Sequence, residues 1–462
     1  MAAIPPGKFW RRKMKKKLLA MLLSAAMVLS LAACGGGDGD DKGSTGGDTN
    51  TPAQSGNEGG DTDTPDTPSN DDQGSAPADI DYGSGVITIW VAEAAVDVTK
   101  QRTDEFFAAH PEMAGYTVDI QPTGEGGAAG NMITDVEGGA DIYSFAQDQL
   151  GRLVMAGALT PITGEFASFV ENENAAGAVA GAKMGDQVYA FPMTADNGYF
   201  LYYDKSVVTD PSSLDQIVAD CAAAGKNFYM EINSGWYQTA FFFGTGCELT
   251  YDSDNSGALT SCNISYATEN GVKALKAIIQ LASNSAFVNG SSLNTATNVG
   301  AIVDGTWDSG MAKDIFGENY ACTKLPSFTV DGESFQMGGF CGFKLLGVKP
   351  QTEQGKMLVC LELAKYLTDA DAQLARFQAL GWGPCNLTAQ GDSAVQADEA
   401  LSALAAQFAY MIPQGQYPDA YWQDATSLGD DVIAGTYNGM SDDELMGVLQ
   451  QFEEMQKSYA AQ

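Results

Sequence analysis

Residues 86–156 read VITIWVAEAAVDVTKQRTDEFFAAHPEMAGYTVDIQPTGEGGAAGNMITDVEGGADIYSFAQDQLGRLVMA. Val86 to Val91 is an apolar run of strand length, and Val98 to Ala109 reads as helix. Tyr116 to Gln121 is a strand, Asn131 to Val136 a short helix, Asp141 to Phe145 a strand and Gln147 to Ala156 a helix. Strands alternating with helices in this way specify a parallel sheet flanked by helices. Ligands of open α/β sheets bind beyond the carboxyl ends of the strands. Functional side chains are therefore expected in the loops that follow each strand.

Downstream the helices are plain. Leu275, Ile278, Ile279 and Ala282 fall on one helical face, and so do Met357, Cys360, Leu361 and Ala364. Each stripe packs against a sheet or another helix. Thr368 and Asp371 have the spacing of a capping box. Strands are concentrated before Val348, the last third is almost wholly helical, and no internal repeat is visible. The body after residue 81 exceeds the roughly 250–300 residues at which a single core splits, so two domains are expected.

Upstream, Arg11, Arg12, Lys13, Lys15, Lys16 and Lys17 precede an apolar run from Leu18 to Ala33. That order is a secretory signal over residues 1–33, too short to span a bilayer, which takes roughly 20 apolar residues. Met14 also opens a complete signal by itself. The segment ends Leu31-Ala32-Ala33-Cys34, which resembles a bacterial lipobox and implies a lipid on the Cys34 sulfur. Residues 34–81 are mostly Gly, Ser, Thr, Asp, Asn and Pro, too poor in apolar surface to fold, and read as a tether.

Net charge is −35, with 24 Lys and Arg. Such a surface repels nucleic acid and anionic lipid. One histidine, His110, excludes histidine triads and histidine metal sites. Seven cysteines besides Cys34 show no Cys-x-x-Cys pair, so zinc is not expected. Cys247 and Cys262 flank a hairpin and are the favoured disulfide pair. Gly124, Gly126, Gly127 and Gly130 miss the dinucleotide spacing and read as a flexible turn. Asp252, Asp254, Ser256 and Gly257 begin like a calcium loop, but Asn263 stands where the bidentate Glu belongs. No nucleophile elbow, zinc-protease motif or phosphate loop is present. A carboxylate pair for glycoside hydrolysis remains open, although nothing singles one out.

Aromatic residues beside polar ones, after strands, are what the chain does offer. Asp141-Ile-Tyr-Ser-Phe-Ala-Gln-Asp-Gln-Leu-Gly-Arg152 with Ala156-Gly-Ala-Leu-Thr-Pro-Ile162 resembles the maltose and maltodextrin receptors of sugar-importing ABC transporters. Tyr189 to Lys205, Gly305-Thr-Trp307 with Leu325-Pro-Ser-Phe328, and Ile412 to Trp422 resemble them too, in order and spacing. The resemblance implies that Asp148 and Asp196 accept from sugar hydroxyls and that Phe145, Trp307 and Trp422 stack on sugar rings. Gln149 stands where the best-known members have Arg. Glu93 stands in place of part of their Asp-Lys pair, which leaves the sugar open. Trp236 and Tyr237 lie in a looser match that should bring an aromatic to the sugar, and Trp382 is a weaker candidate.

The resemblance further implies an α/β, two-lobe type II fold, each lobe a mixed sheet flanked by helices. Crossings are expected near Thr194, Leu345 and Ile412, with residues 82–194 and 345–411 in the first lobe and 195–344 and 412–462 in the second. The implied function is a monomeric, lipid-anchored receptor on the outer face of the cell membrane. It binds a maltodextrin-like oligosaccharide by hinge closure, docks on an ABC permease and needs no cofactor. The alternatives are a receptor for another oligosaccharide, a tethered glycosidase or lyase, and an adhesin or scaffold module.

Overall fold

The computed structural model describes residues 80–460. Cys34, the signal and nearly all of the tether lie outside the described residues. Eleven strands carry the two main sheets. In chain order they are β1 (Gly85–Val91), β2 (Tyr116–Pro122), β3 (Ile142–Ala146), β4 (Ala190–Asn197), β5 (Phe200–Asp204) and β6 (Asn227–Tyr229). There follow β7 (Phe287–Val288), β8 (Val299–Asp304), β9 (Tyr320–Thr323), β10 (Gly339–Val348) and β11 (Met411–Pro413). The helices that matter for the site are α1 (Val96–Ala109), α2 (Glu125–Thr134), α3 (Leu150–Met155), α4 (Glu269–Ala282) and α5 (Gln354–Tyr366). They continue with α6 (Ala370–Leu380), α7 (Glu399–Gln407), α8 (Asp419–Ile433) and α9 (Asp442–Tyr459).

The first sheet runs β11-β10-β3-β1-β2, with β4 also paired to β10. β1 is parallel to β2 and β3, whereas β10 is antiparallel to β3 and β4. The second sheet runs β7-β6-β8-β5-β9, with β5 antiparallel to both its neighbours. Both sheets are mixed. Residues alternate sides along a strand, and in the second sheet both sides are buried. Leu201, Ala301 and Val303 face one core, while Phe200, Tyr202 and Ile302 face another. The first sheet has its own core, with Ile87, Ile89, Ile142, Leu345 and Leu363 fully buried.

Thr194 lies on β4, Leu345 on β10 and Ile412 on β11. β10 starts in the second body, with Phe340 in its core, and ends in the first, with Leu345, Leu346 and Val348 in that core. β4 runs the other way, from Phe191 and Met193 in the first core towards Tyr199 in the second. One expected boundary moves. Ala400, Ala403 and Leu404 of α7 pack with Phe200 and Tyr202 against the second sheet, so the chain leaves the first lobe before α7, well ahead of residue 411.

Local signals differ from expectation in three places. The cap of α6 is Asp369, which accepts from the Ala372 N–H, while Thr368 donates to the Ala364 carbonyl. Gly126, Gly127 and Gly130 lie within α2 rather than in a turn, because Ala128, Ala129 and Met132 bury one face of that helix. Cys247 and Cys262 are both free thiols. Cys247 is buried beside Thr245, and Cys262 is a rung of a hairpin between Leu249–Ser253 and Leu259–Ile264, opposite Tyr251.

Candidate functional site

A cleft of about 600 Å³ lies where the two bodies face each other. β1 and β3 end at it, and Ala92, Ala94, Ala146, Asp148 and Gln149 follow those strands onto its wall. The opposite wall is built from Asn197, Trp307 and Asp308, which follow β4 and β8, and from Trp236 and Trp422. Lys344 of β10, Gln414 after β11, and Trp382 complete it. Strand ends and the segments that follow them supply most of the lining, with Lys344 from within β10, Trp422 from α8 and Glu125 from α2.

Four tryptophans give the cleft its apolar surface. Trp236 and Trp307 have ring centres 5.8 Å apart at 36°. The Trp236 indole N–H donates to Gln414 Oε1 at 3.2 Å, which fixes the ring against the segment after β11. Trp422 projects from α8 and is braced by Tyr417, Tyr421 and Phe340. Trp382 sits in the turn after α6, made possible by Gly381 at φ +74°, where a side chain would be strained.

Carboxylates supply the polar surface. Asp148 is 3% exposed, and its Oδ1 has no hydrogen-bond partner. Burial pushes its carboxyl up to about 7, with Arg152 and Gln414 pulling the other way. Glu125, at the start of α2, likewise presents a buried Oε1 with no partner. Unpaired buried acceptors are costly, and a ligand that brings donors removes the cost. Flat rings beside bare acceptors suit a ligand with apolar C–H faces and a rim of hydroxyls.

The cleft gathers Asp148, Gln149, Trp236, Trp307, Trp382 and Trp422 of the residues expected from sequence. Gln149 is committed elsewhere: its amide donates to the Gly126 carbonyl and accepts from the Ala129 N–H, which pins α2. Glu93 is exposed on the turn between Ala92 and Ala94, and those two residues, not Glu93, line the wall. Phe145 does not face the cleft; it is fully buried against Tyr143 in the first core, because every residue from Ile142 to Phe145 is buried. Tyr237 is 5% exposed and packs behind Trp236 against Tyr199. Asp196 is also fully buried, where its Oδ2 accepts from Thr306 Oγ1 at 2.6 Å and from the Gly383 N–H at 2.7 Å. It therefore steadies the neighbours of Trp307 and Trp382 from behind. Glu125, Lys344, Asn197, Asp308 and Gln414 were not anticipated.

The family model for bacterial extracellular solute-binding protein matches residues 102–403, well over half of the chain. The chain belongs to that family. Solved structures place the solute-binding protein within the two-lobe type II fold. One, with acarbose, is 27% identical with a TM-score of 0.71, covering 81% of this chain and 99% of its own. The maltodextrin-binding protein MalE1 from L. casei BL23, without ligand, is 24% identical with a TM-score of 0.67, covering 82% of this chain and 99% of its own. The GacH receptor of Streptomyces glaucescens GLA.O, solved unliganded and with acarbose, is 18% identical with a TM-score of 0.67, covering 81% of this chain and 99% of its own. The family is one of extracellular solute-binding proteins, and MalE1 and GacH are a maltodextrin-binding protein and a receptor. Among the described residues no helix is long and apolar enough to cross a membrane, and no group of three metal-ligating side chains is assembled.

Proposed function

We propose that this solute-binding protein captures a maltodextrin-like oligosaccharide between its lobes and delivers it intact to an ABC permease. The observation that carries the reading is the cleft itself, which Trp236, Trp307, Trp382 and Trp422 line together with Asp148 and Glu125, each with an unpaired oxygen. The acarbose and maltodextrin named for the structural neighbours support it. Sugar C–H faces lie on the indoles, and sugar hydroxyls donate to the two carboxylates. A ligand that touches both lobes only when they approach shifts the population towards the closed form. Cys34 carries the lipid that holds the monomeric receptor outside the cell, on the tether read from residues 34–81.

A calorimetric panel of maltose, maltotriose, longer maltodextrins and unrelated oligosaccharides tests the reading. Saturable binding of maltodextrins with no shortened product on prolonged incubation is expected. Accumulating product would establish an enzyme instead, and no binding across the panel would end the receptor reading. Metabolic labelling with a fatty acid, lost in Cys34→Ser, tests the anchor.

A further inference from the structure

Lys344 stands on β10, the middle crossing strand, between Ala146 of β3 and Thr194 of β4. It is 7% exposed and lines the cleft. A buried ammonium ordinarily has a carboxylate beside it. Here the ammonium faces two indoles, 4.1 Å from the ring centre of Trp382 and 5.3 Å from that of Trp307. Such contacts attract a cation without satisfying its three N–H donors. Trp382 adds a second donor, since it is 3% exposed and its Nε1 is buried with no acceptor. The turn holding Trp382 is tied to β4 twice, through Gly383 N–H to Asp196 Oδ2 and through Ala195 N–H to the Gly383 carbonyl. The donors therefore stand on a fixed frame, and Glu125 and Asp148 supply only acceptors.

We propose that Lys344 and the Trp382 indole N–H form a donor subsite at the crossing strand, which determines specificity by taking an acceptor-only oxygen of the sugar. The inference rests on the oligosaccharide reading and adds which atoms of the ligand face the crossing strands. Hydroxyls can satisfy the carboxylates and be satisfied by them. Ring and glycosidic oxygens, and the carboxylate of an acidic sugar, only accept, and need donors of this kind. Gln149 does not serve, because its amide holds α2, and the Trp236 indole N–H is spent on Gln414.

The test is calorimetry on the full chain with maltotriose and with maltotriose oxidised to a carboxylate at its reducing end. Wild type, Lys344→Met, Lys344→Arg and Trp382→Phe are compared, alongside thermal unfolding of each ligand-free protein. Lys344→Met should weaken the better-bound sugar tenfold or more, Lys344→Arg should keep part of the affinity, and Trp382→Phe should lose a smaller factor. The ligand-free Tm of Lys344→Met should not fall, because Met keeps the buried apolar stem and the ammonium, at the cleft, makes no ion pair with the described residues. Neutral maltotriose preferred by wild type identifies a ring or glycosidic oxygen. The oxidised sugar preferred, with the preference gone in Lys344→Met, identifies a carboxylate. Unchanged affinity in Lys344→Met overturns the subsite, whether or not Tm falls. Wild type that binds neither these nor any sugar of the panel overturns the receptor reading, and the subsite falls with it.

Discussion

Asp148 is buried on the cleft wall with one oxygen unpaired, so its charge state couples to pH and to ligand at once. Its folded pKa, about 7, lies above the ordinary 3.8, chiefly through burial. The stability it confers is fully present below the ordinary carboxylate range and is lost as pH rises through about 7. The ligand-free Tm should therefore fall between about pH 4 and about pH 7, and Asp148→Asn should flatten that slope. Sugar affinity should run the opposite way, weakening as pH drops below about 7, because a protonated carboxyl accepts more weakly than a carboxylate. A pH-independent affinity would show that the sugar does not donate to Asp148. Trp307→Ala should weaken binding by well over 1 kcal/mol if the ring stacks, which is about the upper half of what aromatic contacts contribute beyond area. Phe145→Ala should do the reverse, costing about 3–5 kcal/mol of stability through a core cavity while leaving the affinity of the folded protein intact. Asp148, Trp307 and Trp422 were legible because they sit in motifs that follow strands. Phe145 was misread because β3 is buried on both faces, which removes the alternation that tells a core residue from a cleft residue. Glu125 was hidden in a glycine-rich run read as a turn, and Lys344 in the middle of an apolar strand.

α3 is short, yet it meets the second body along its length. Arg152 makes a two-pronged ion pair with Asp419 of α8, and the Gly151 N–H donates to Gln416 Oε1 at 2.7 Å. Just before α3, Gln147 donates to the Gln414 carbonyl at 2.6 Å and accepts from the Phe343 N–H at 3.0 Å. The end of β3 is thereby tied to both β10 and the segment after β11. The ion pair is partly exposed, so it contributes at most about 1 kcal/mol. Arg152→Ala should weaken sugar binding by no more than roughly fivefold, and the charge-swapped pair Arg152→Asp with Asp419→Arg should recover most of the loss. Equal affinity in all three proteins would show that the pair is indifferent to ligand capture. Helix α1 and strands β1 to β3 were readable from periodicity to within a few residues. The cap of α6 was missed by one position because Thr368 and Asp369 are adjacent, and the Asp oxygen reaches the first turn while the Thr hydroxyl turns back to its own helix.

At the scale of the molecule, three hydrogen-bonded strands join the lobes, and closure has to be limited by whatever meets first when the lobes approach. Gly257 makes one of the contacts between them, beside those of Arg152 and Gly151. It lies at the tip of the hairpin following Leu249–Ser253, at φ +90°, and a Cβ there would run into the Gly151 backbone of α3. The acidic hairpin that reads like a broken calcium loop thus ends against the other lobe, which the sequence could not show because the contact joins residues about a hundred positions apart. The two-lobe organisation was legible through the resemblance, but the transfer of α7 to the second sheet was not, since its apolar stripe fits either body. Gly257→Ala should prop the lobes apart without disturbing either core. Apparent affinity scales with the fraction of protein able to adopt the competent state, so the substitution should weaken sugar binding while folding stability falls only by the roughly 1 kcal/mol expected of a side chain at a positive φ. Small-angle scattering distinguishes the cause: wild type should contract on adding saturating sugar, and Gly257→Ala should contract less. A variant that contracts and binds like wild type would place the closure limit elsewhere, because a backbone contact that accepts a methyl group without moving is not what stops the lobes.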